Sequence, residues 1–378
     1  MLHVGIAGTG AMAEYQVHKF RALEGCQISA CVDRNPGNAE NFARRFSIPS
    51  HYSSITDLLD AGSCQAVSCV TSDSQHPRIV LAALKRGLPV FCEKPLARTL
   101  AECQSMADMA SAAEVPNLVN YSKRNAPALA GLKAMLDAGE LGKIEAVDAE
   151  YLQGWVMTKV WGDWQTTPRW RWRLLPTESS AGVAGDLGSH LVDALLHLFG
   201  DLVPAGQASS VNLAQALAAA GGQDPGTVGG SEPLPGEFMA GSGPVCVAFS
   251  AAASLPGGAP VRLRASWIED GALDDFRIRV QGSRGRAVLD LGRSRSAVAV
   301  YRGAKAAEAG TAAAESVAES GLATLVEGPQ KPSTYQRFID LASGQRPMVP
   351  GGEDGLDFTQ ALRTMRLLNE LVPGGLPQ

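Results

Sequence analysis

The sequence predicts two domains: an N-terminal α/β domain on a parallel sheet, and a C-terminal α+β domain with a large, mostly antiparallel, open-faced sheet. Three observations predict this. Short β-rich runs alternate with helical patterns over the first 120 residues. Later runs alternate apolar and polar residues and follow one another without helices between them. A glycine-rich turn joins the first strand directly to the first helix. At 378 residues the chain is too long for one ordinary domain, and it divides at 1–121 and 122–378.

In the first domain the candidate strands are residues 2–7, 27–32, 66–70, 89–92 and 117–120, with helical patterns at 11–23, 37–46, 53–60, 77–86 and 100–113. Strand–helix–strand repetition gives a parallel sheet with helices on both faces. A further helix, 127–138, ends at Gly139. After Lys143 the period becomes two: residues 144–153, 260–267, 275–281, 285–291 and 297–301 read as half-buried strands, with turns such as Gly282-Ser283-Arg284-Gly285. Helices at 189–199 and 355–371 would cover one face. Residues 205–243, rich in Gly, Ala, Pro and Ser, read as a long loop or insert, and 304–321 as a surface helix or linker.

The net charge is −5 and no Lys/Arg cluster dominates, which argues against a nucleic-acid partner. No long apolar span or leader pattern is present, which argues against a membrane. The seven cysteines have no short CxxC spacing and several sit in apolar runs; they read as free thiols of a reducing, cytoplasmic compartment.

Gly8-Thr9-Gly10-Ala11-Met12-Ala13 closes the first strand and opens the first helix. This is the GxGxxA form of the dinucleotide fingerprint of a Rossmann domain: Gly8 permits the tight turn, Gly10 lets the backbone approach a pyrophosphate, and Ala13 lets helix and strand pack closely. Asp33 ends the second strand 23 residues after Gly10, where an acid accepts from both adenosine-ribose hydroxyls and repels a 2′-phosphate. That favours NAD. The neighbouring Arg34 could hold a phosphate, so NADP stays open.

Glu93-Lys94-Pro95 follows the apolar strand 89–92, at a strand C-terminus where open α/β sheets bind ligands. Lys94 there could hold a substrate oxygen and stabilise alkoxide as hydride leaves, with Glu93 setting its orientation; a surface ion pair is the alternative. In Gly185-Asp186-Leu187-Gly188-Ser189-His190-Leu191-Val192-Asp193, Asp186 and His190 are four apart and would share a helix face, extended by Asp193 and His197. A buried polar stripe is expensive unless something uses it. His190 could take the proton of an alcohol, and Asp186 could bind substrate or orient the imidazole. The spacing matches no catalytic zinc motif, so no metal is expected; an inert core histidine is the remaining alternative.

Five of the six tryptophans, Trp155, Trp161, Trp164, Trp170 and Trp172, lie close together, interleaved with Arg169, Arg171 and Arg173. Aromatic faces stack on the C–H faces of sugars, while Arg and Gln bond their hydroxyls. Gln153, Trp155, Trp172 and Arg173 are therefore candidate substrate contacts, with subunit packing as the alternative.

Together these blocks resemble the glucose–fructose oxidoreductase/inositol dehydrogenase (Gfo/Idh/MocA) family. The resemblance rests on GxGxxA at Gly8–Ala13, EKP at Glu93–Pro95 and Asp-x-Gly-x-His-x-x-Asp at Asp186–Asp193. Thr71-Ser72 with His76 is similar to the family's cofactor-touching loop, and the segment from Asn120 and Tyr121 to Pro127 is similar to its crossing between domains. Glu150–Trp155 looks like the YxQGW of sugar-oxidising members, and Arg346-Pro347 with Glu353-Asp354-Gly355 like the family's last turn. The sequence departs from the family at Ser180–Gly185, where a glycine run is usual.

The resemblance implies that Lys94, Asp186 and His190 form the catalytic trio. It implies that Thr71, Ser72, His76, Glu93 and Lys94 join Gly8–Ala13, Asp33 and Arg34 at the cofactor, and that Tyr121 joins Lys94, Gln153, Trp155, Trp172, Arg173, Asp186 and His190 at the substrate. The expected activity is hydride transfer between NAD(P) and a hydroxyl-bearing carbon of a sugar, sugar derivative or cyclitol. The alternatives are an NAD-dependent glycosidase using transient C3 oxidation, and a non-catalytic NAD-binding sensor or co-repressor, whose relatives usually lose the Lys or the His. An outer sheet face left partly apolar would make a homodimer or homotetramer.

Overall fold

The structure is a computed structural model describing residues 1–220, 227–228, 232–233, 238, 244–302, 323–347 and 355–377. The stretch 304–321, most of 221–243, and Glu353-Asp354 lie outside the described residues.

Six strands form the first sheet: β1 (Leu2–Ala7), β2 (Cys26–Val32), β3 (Ser50–Tyr52), β4 (Ala66–Cys69), β5 (Val90–Cys92) and β6 (Asn117–Val119). All pair in parallel, in the order β3-β2-β1-β4-β5-β6. The edge strand β3 reads Ser-His-Tyr, so no apolar run announces it. The central strands are buried on both faces; every residue of β4 and β5 is buried. Chain order reverses between β1 and β4, which opens a crevice at their C-terminal ends.

Helices α1 (Ala11–Arg21), α2 (Pro36–Arg45), α3 (Ile55–Asp60), α4 (His76–Leu84) and α5 (Leu100–Ala113) connect the strands. Their starts are encoded locally. Asn35 Oδ1 accepts from the Gly37 N–H before the proline-led α2. Thr99 and Glu102 form a reciprocal capping box on α5. Helix α6 (Pro127–Asp137) then leads into the second domain.

The second sheet contains β7 (Ile144–Leu152), β8 (Val203–Pro204), β9 (Ser209–Asn212), β12 (Cys246–Ser254), β13 (Pro260–Ser266), β14 (Asp275–Gly282), β15 (Gly285–Asp290), β16 (Ala297–Tyr301) and β17 (Thr324–Glu327); β10 (Thr227–Val228) and β11 (Glu232–Pro233) form a separate ribbon. The order is β17-β16-β15-β14-β7-β13-β12, with β8 and β9 both on β12. Every pairing is antiparallel except β7 with β13. Helices α7 (Trp155–Thr158), α8 (Pro168–Arg171), α9 (Ser189–Phe199), α10 (Leu213–Ala219), α11 (Thr334–Ala342) and α12 (Phe358–Leu371) complete the domain.

Period-two alternation turns Val147, Ala149, Tyr151, Leu263, Phe276, Ile278 and Val280 inward, under α6, α9 and α12. The outward positions mix ion pairs with small or apolar side chains such as Ala252, Val288, Ala299 and exposed Leu325. Glu150 accepts from Arg277 at 2.8 Å and Arg279 at 3.0 Å, Asp290 pairs with Arg277 at 2.9 Å, and Asp148 with Arg262 at 2.5 Å. The outer face is thus partly apolar, as expected, with a charged ladder across its centre. One correction concerns residues 209–219, expected as loop: they form β9 and α10, because Asn212 and Gln215 make a capping box and Leu213, Ala214 and Ala216 are buried. The final helix returns to the first domain, where the Val119 N–H donates to Leu356 O at 2.8 Å and the Phe358 N–H to Asn117 Oδ1 at 2.7 Å.

Candidate active site

The turn after β1 carries Gly8 at φ +105°. A Cβ there would meet Val70 O at 2.7 Å, so glycine alone lets the β1 and β4 loops abut. At Gly10 a Cβ would meet nothing within 4 Å, leaving open space at the head of α1. Ala13 is fully buried; Thr9 and Ala11 are half-buried and Met12 is exposed. Thr9 Oγ1 donates to Asp33 Oδ2 at 2.6 Å and the Asn35 N–H to Asp33 Oδ1 at 2.9 Å, which fixes the carboxylate at the end of β2. Arg34 is exposed beside it. An open cradle, a helix N-terminus and a held carboxylate fit a dinucleotide.

Thr71 and Ser72 are half-buried in the loop after β4. His76 is fully buried, with Nδ1 3.1 Å from Pro95 O and Nε2 3.3 Å from Thr71 O. It braces the two loops from behind. Glu93 is also buried, accepting from Gln16 Nε2 at 2.7 Å and Asn120 Nδ2 at 2.8 Å, and so anchors the strand end from which Lys94 projects.

Lys94 Nζ donates to Asp186 O at 2.9 Å and to the Asp186 carboxylate. Arg173 Nε lies 3.7 Å from the other carboxylate oxygen. Burial would raise the Asp186 pKa, but the charges of Lys94 and Arg173 overcome it and hold it at about 2. Asp186 lies in a π-helical turn, Ala184–Gly188, that leads into α9. A π turn carries one residue more than the assumed α spacing, and such turns recur at functional sites.

His190, on α9, is 5% exposed and its Nδ1 has no hydrogen-bond partner among the described residues. Burial, then the charges of Lys94 and Lys123, push its pKa well below the usual histidine value, with Asp186 opposing. The imidazole is therefore neutral near pH 7 and able to accept a proton. Asp193 does not line the cleft: its Oδ2 pairs with Arg124 Nε at 3.1 Å, both buried, and burial outweighs Arg124 to push Asp193 up to about 6.

A cleft of about 390 Å³ lies over these groups, lined by Lys94, Tyr151, Gln153, Trp161, Trp170, Arg173, Asp186 and Leu187. Of the expected substrate contacts, Lys94, Gln153, Arg173 and Asp186 line it. His190 sits behind the wall, its ring centroid 6.0 Å from that of Tyr151 and 5.9 Å from that of Tyr121. Tyr121 is itself fully buried. Trp155 is 1% exposed and stacks on Trp161, with centroids 6.0 Å apart and planes at 14°. Trp172 lies under the Arg173 guanidinium at 4.5 Å, outside the lining. The Arg169 side chain lies outside the described residues. Tyr151 was discoverable, since it shares a strand face with Gln153.

Sequence reasoning also missed how the second domain docks on the loop after β4. Glu178 Oε2 accepts from Ser72 Oγ at 2.9 Å and Ser74 Oγ at 2.7 Å, and buried Asp73 accepts from the Ser180 N–H at 3.0 Å and Oγ at 2.9 Å. Ser180, at the head of the segment Ser180–Gly185, thus supplies a side-chain anchor there. No local signal marks such pairs, which are more than 100 residues apart.

Among the described residues, Cys69, His76 and Cys92 come within 4.8 Å of one another. They lie beneath the loops rather than in the cleft, and carbonyl oxygens face both imidazole nitrogens. No described helix is long and apolar enough to cross a membrane.

A dinucleotide cradle opening toward a cleft that Lys94 and Asp186 line, with His190 behind its wall, fits an oxidoreductase of the NAD-binding Rossmann class. Residues 2–121 match the oxidoreductase family with the NAD-binding Rossmann fold, and 129–288 match the GFO/IDH/MocA C-terminal domain. The chain belongs to the Gfo/Idh/MocA family. It is 28% identical over 242 residues to levoglucosan dehydrogenase of Pseudarthrobacter phenanthrenivorans, covering 61% of this chain and 60% of that protein. It is 34% identical over 152 residues to inositol 2-dehydrogenase of Gluconacetobacter diazotrophicus, covering 39% of this chain and 45% of that one. These sequence matches thus span less than two thirds of either relative. A solved structure titled levoglucosan dehydrogenase in complex with NADH and levoglucosan superposes with a TM-score of 0.74 at 20% identity, covering 98% of this chain and 96% of that chain, and shares its fold.

Proposed function

We propose that this protein is an NAD(P)-dependent dehydrogenase of sugars, sugar derivatives or cyclitols. The observation that carries this reading is one cleft wall holding an ammonium paired to a carboxylate, backed by a buried neutral imidazole and faced by two indoles. A nicotinamide dinucleotide supplies the hydride-accepting chemistry. The Gly8–Ala13 turn with Asp33 would hold it, and Thr71, Ser72 and Lys94 flank its path.

Trp161 and Trp170 offer apolar faces to the C–H side of a pyranose or cyclitol. Lys94 holds the reacting oxygen and stabilises negative charge on it; His190 accepts its proton; Asp186 keeps Lys94 placed and itself stays ionised. Asp33, held by Thr9 and Asn35, favours NAD over NADP, whereas the exposed Arg34 beside it would suit a 2′-phosphate. The relatives named for levoglucosan and inositol support an uncharged polyol.

We also assign residues 1–121 to cofactor and 122–378 to substrate and assembly. Seven free cysteines, six of them buried, support a reducing, cytoplasmic setting. A homodimer or homotetramer built on the open sheet would meet through its charged ladder and the apolar positions beside it. The enzymatic reading is tested by scanning sugars and cyclitols with NAD and NADP for growth of reduced-nicotinamide absorbance. Appearance with at least one polyol is expected; a flat trace for all of them, with dinucleotide bound, would overturn it.

A further inference from the structure

Inside the first domain a chain of bonded polar side chains runs from the dinucleotide helix to the strand end that carries Lys94. Gln16 lies on α1, six residues after Gly10, and is fully buried. Its Oε1 accepts from Ser68 Oγ on β4 at 2.5 Å, and its Nε2 donates to Glu93 Oε1 at 2.7 Å. Asn120 Nδ2 donates to the same Glu93 oxygen at 2.8 Å, and Asn120 Oδ1 accepts from Thr334 Oγ1 at 2.8 Å, at the head of α11. The Lys94 backbone N–H faces the other Glu93 oxygen at 3.4 Å. Ser68, Glu93, Asn120 and Thr334 are all buried.

A buried amide is costly where an apolar side chain would pack, unless both of its ends are bonded. The other inward residues of α1, Ala13, Val17 and Phe20, are apolar, and Phe20 meets Phe91 of β5 edge-on at 5.8 Å. Packing of α1 on the sheet therefore does not call for Gln16. Hydride transfer does. The turn that would hold a dinucleotide opens α1, whereas the reacting oxygen is held by Lys94 at the end of β5. These are separate elements, and a misplacement of about 1 Å between reacting groups costs about a hundredfold in rate. A donor on α1 that grips Glu93 registers one element against the other.

We propose that Gln16 is a positioning residue for Lys94: its amide fixes the Glu93 carboxylate, and the carboxylate fixes the strand end from which the Lys94 ammonium reaches Asp186 and the substrate oxygen. The lysine is thereby set against the helix that receives the dinucleotide. This rests on the reading of the cleft as the polyol site.

The test begins with Gln16→Met, which keeps length and donates nothing. With saturating NAD and the best polyol of the panel, kcat is expected to fall about tenfold to a hundredfold, while the dissociation constant for NAD stays within about threefold. In a double-mutant cycle, Gln16→Met should cost less than about twofold in a Glu93→Gln background, because the carboxylate it serves is gone. Gln16→Glu adds a pH readout. Two carboxyls then share one site, so one of them keeps its proton above the usual range and donates to the other. The rate of this variant relative to wild type is expected to climb as pH falls from about 10 to about 6, and that of Gln16→Met is not. An unchanged kcat in Gln16→Met, a loss confined to NAD affinity, additive losses in the cycle, or a Gln16→Glu profile parallel to wild type overturns the proposal. A further readout needs no turnover: acetylation of Lys94 by acetic anhydride, read by mass spectrometry against the exposed Lys85. Labelling of Lys94 is expected to rise several-fold in Gln16→Met and in Glu93→Gln, with Lys85 unchanged. Equal Lys94 labelling in all three proteins overturns the proposal. Wild type inactive on every polyol defeats the reading of the cleft, while the labelling still decides whether Gln16 positions Lys94.

Discussion

Lys94 reaches across 92 residues to hold Asp186 twice, at its backbone carbonyl and at its carboxylate. The contact joins the end of β5 in the first domain to the π turn before α9 in the second. One ion pair therefore closes the cleft and sets the charge within it. With its pKa at about 2, Asp186 stays ionised throughout the working pH range. Asp186→Asn is expected to lower kcat/KM by roughly a hundredfold, read by steady-state kinetics. In wild type the depressed pKa contributes stability that is fully present above the unfolded value near 4 and lost as pH falls toward about 2. Denaturant titrations between about pH 2 and 5 should show that loss in wild type and less of it in Asp186→Asn.

His190 gives a dependence of the same sign in a higher pH window. Its folded pKa is pushed well below the histidine norm, so the acid limb of kcat/KM for polyol oxidation should lie well below about pH 6.5. Removing the nearby charge with Lys94→Ala lets the imidazole hold its proton more readily, so any residual activity should lose rate at a higher pH than wild type. Folding stability should also fall as pH drops through about 6.5, where the unfolded imidazole takes a proton that the buried one refuses. His190→Ala should lower kcat by roughly 10² to 10⁴ and flatten that limb.

The tryptophans divide by burial. Trp161 and Trp170 line the cleft, whereas Trp155 supports them at 1% exposure. Trp161→Ala and Trp170→Ala should raise KM for the polyol about tenfold and leave thermal melting nearly unchanged. Trp155→Ala should instead cost about 3–5 kcal/mol in denaturant unfolding. Equal melting losses at all three positions would contradict the division.

At the cofactor end, Asp33→Ser removes the carboxylate that Thr9 and Asn35 hold. Titration of each dinucleotide should show NAD binding weakened about tenfold and NADP binding strengthened, since repulsion of a 2′-phosphate is gone and Arg34 remains.

Much of this was legible in the chain because the signals are local. The strands Leu2–Ala7 and Ala297–Tyr301 and the helices Leu100–Ala113 and Ser189–Phe199 fall where periodicity and caps put them. The GxGxxA turn, Lys94 at a strand end and the Asp186–His190 spacing come from short windows, and they converge. What escaped is non-local or lacks pattern. Three-residue β3 has no apolar run, and β12, Cys-Val-Ala-Phe-Ser-Ala-Ala-Ala-Ser, carries small residues on its outward face that blur the alternation. Trp155 was preferred over Trp161 because composition cannot tell which indole is covered. Asp73, Glu178 and Ser180 act through partners more than 100 residues away.

The most direct test of the central claim is the stoichiometry of NADH formed per polyol consumed, measured for wild type, Lys94→Ala and His190→Ala. The account predicts one NADH per oxidised polyol in wild type, with the rate lost in both variants. Release of free sugar from a glycoside without net NADH, or wild-type turnover that survives both substitutions, would contradict it.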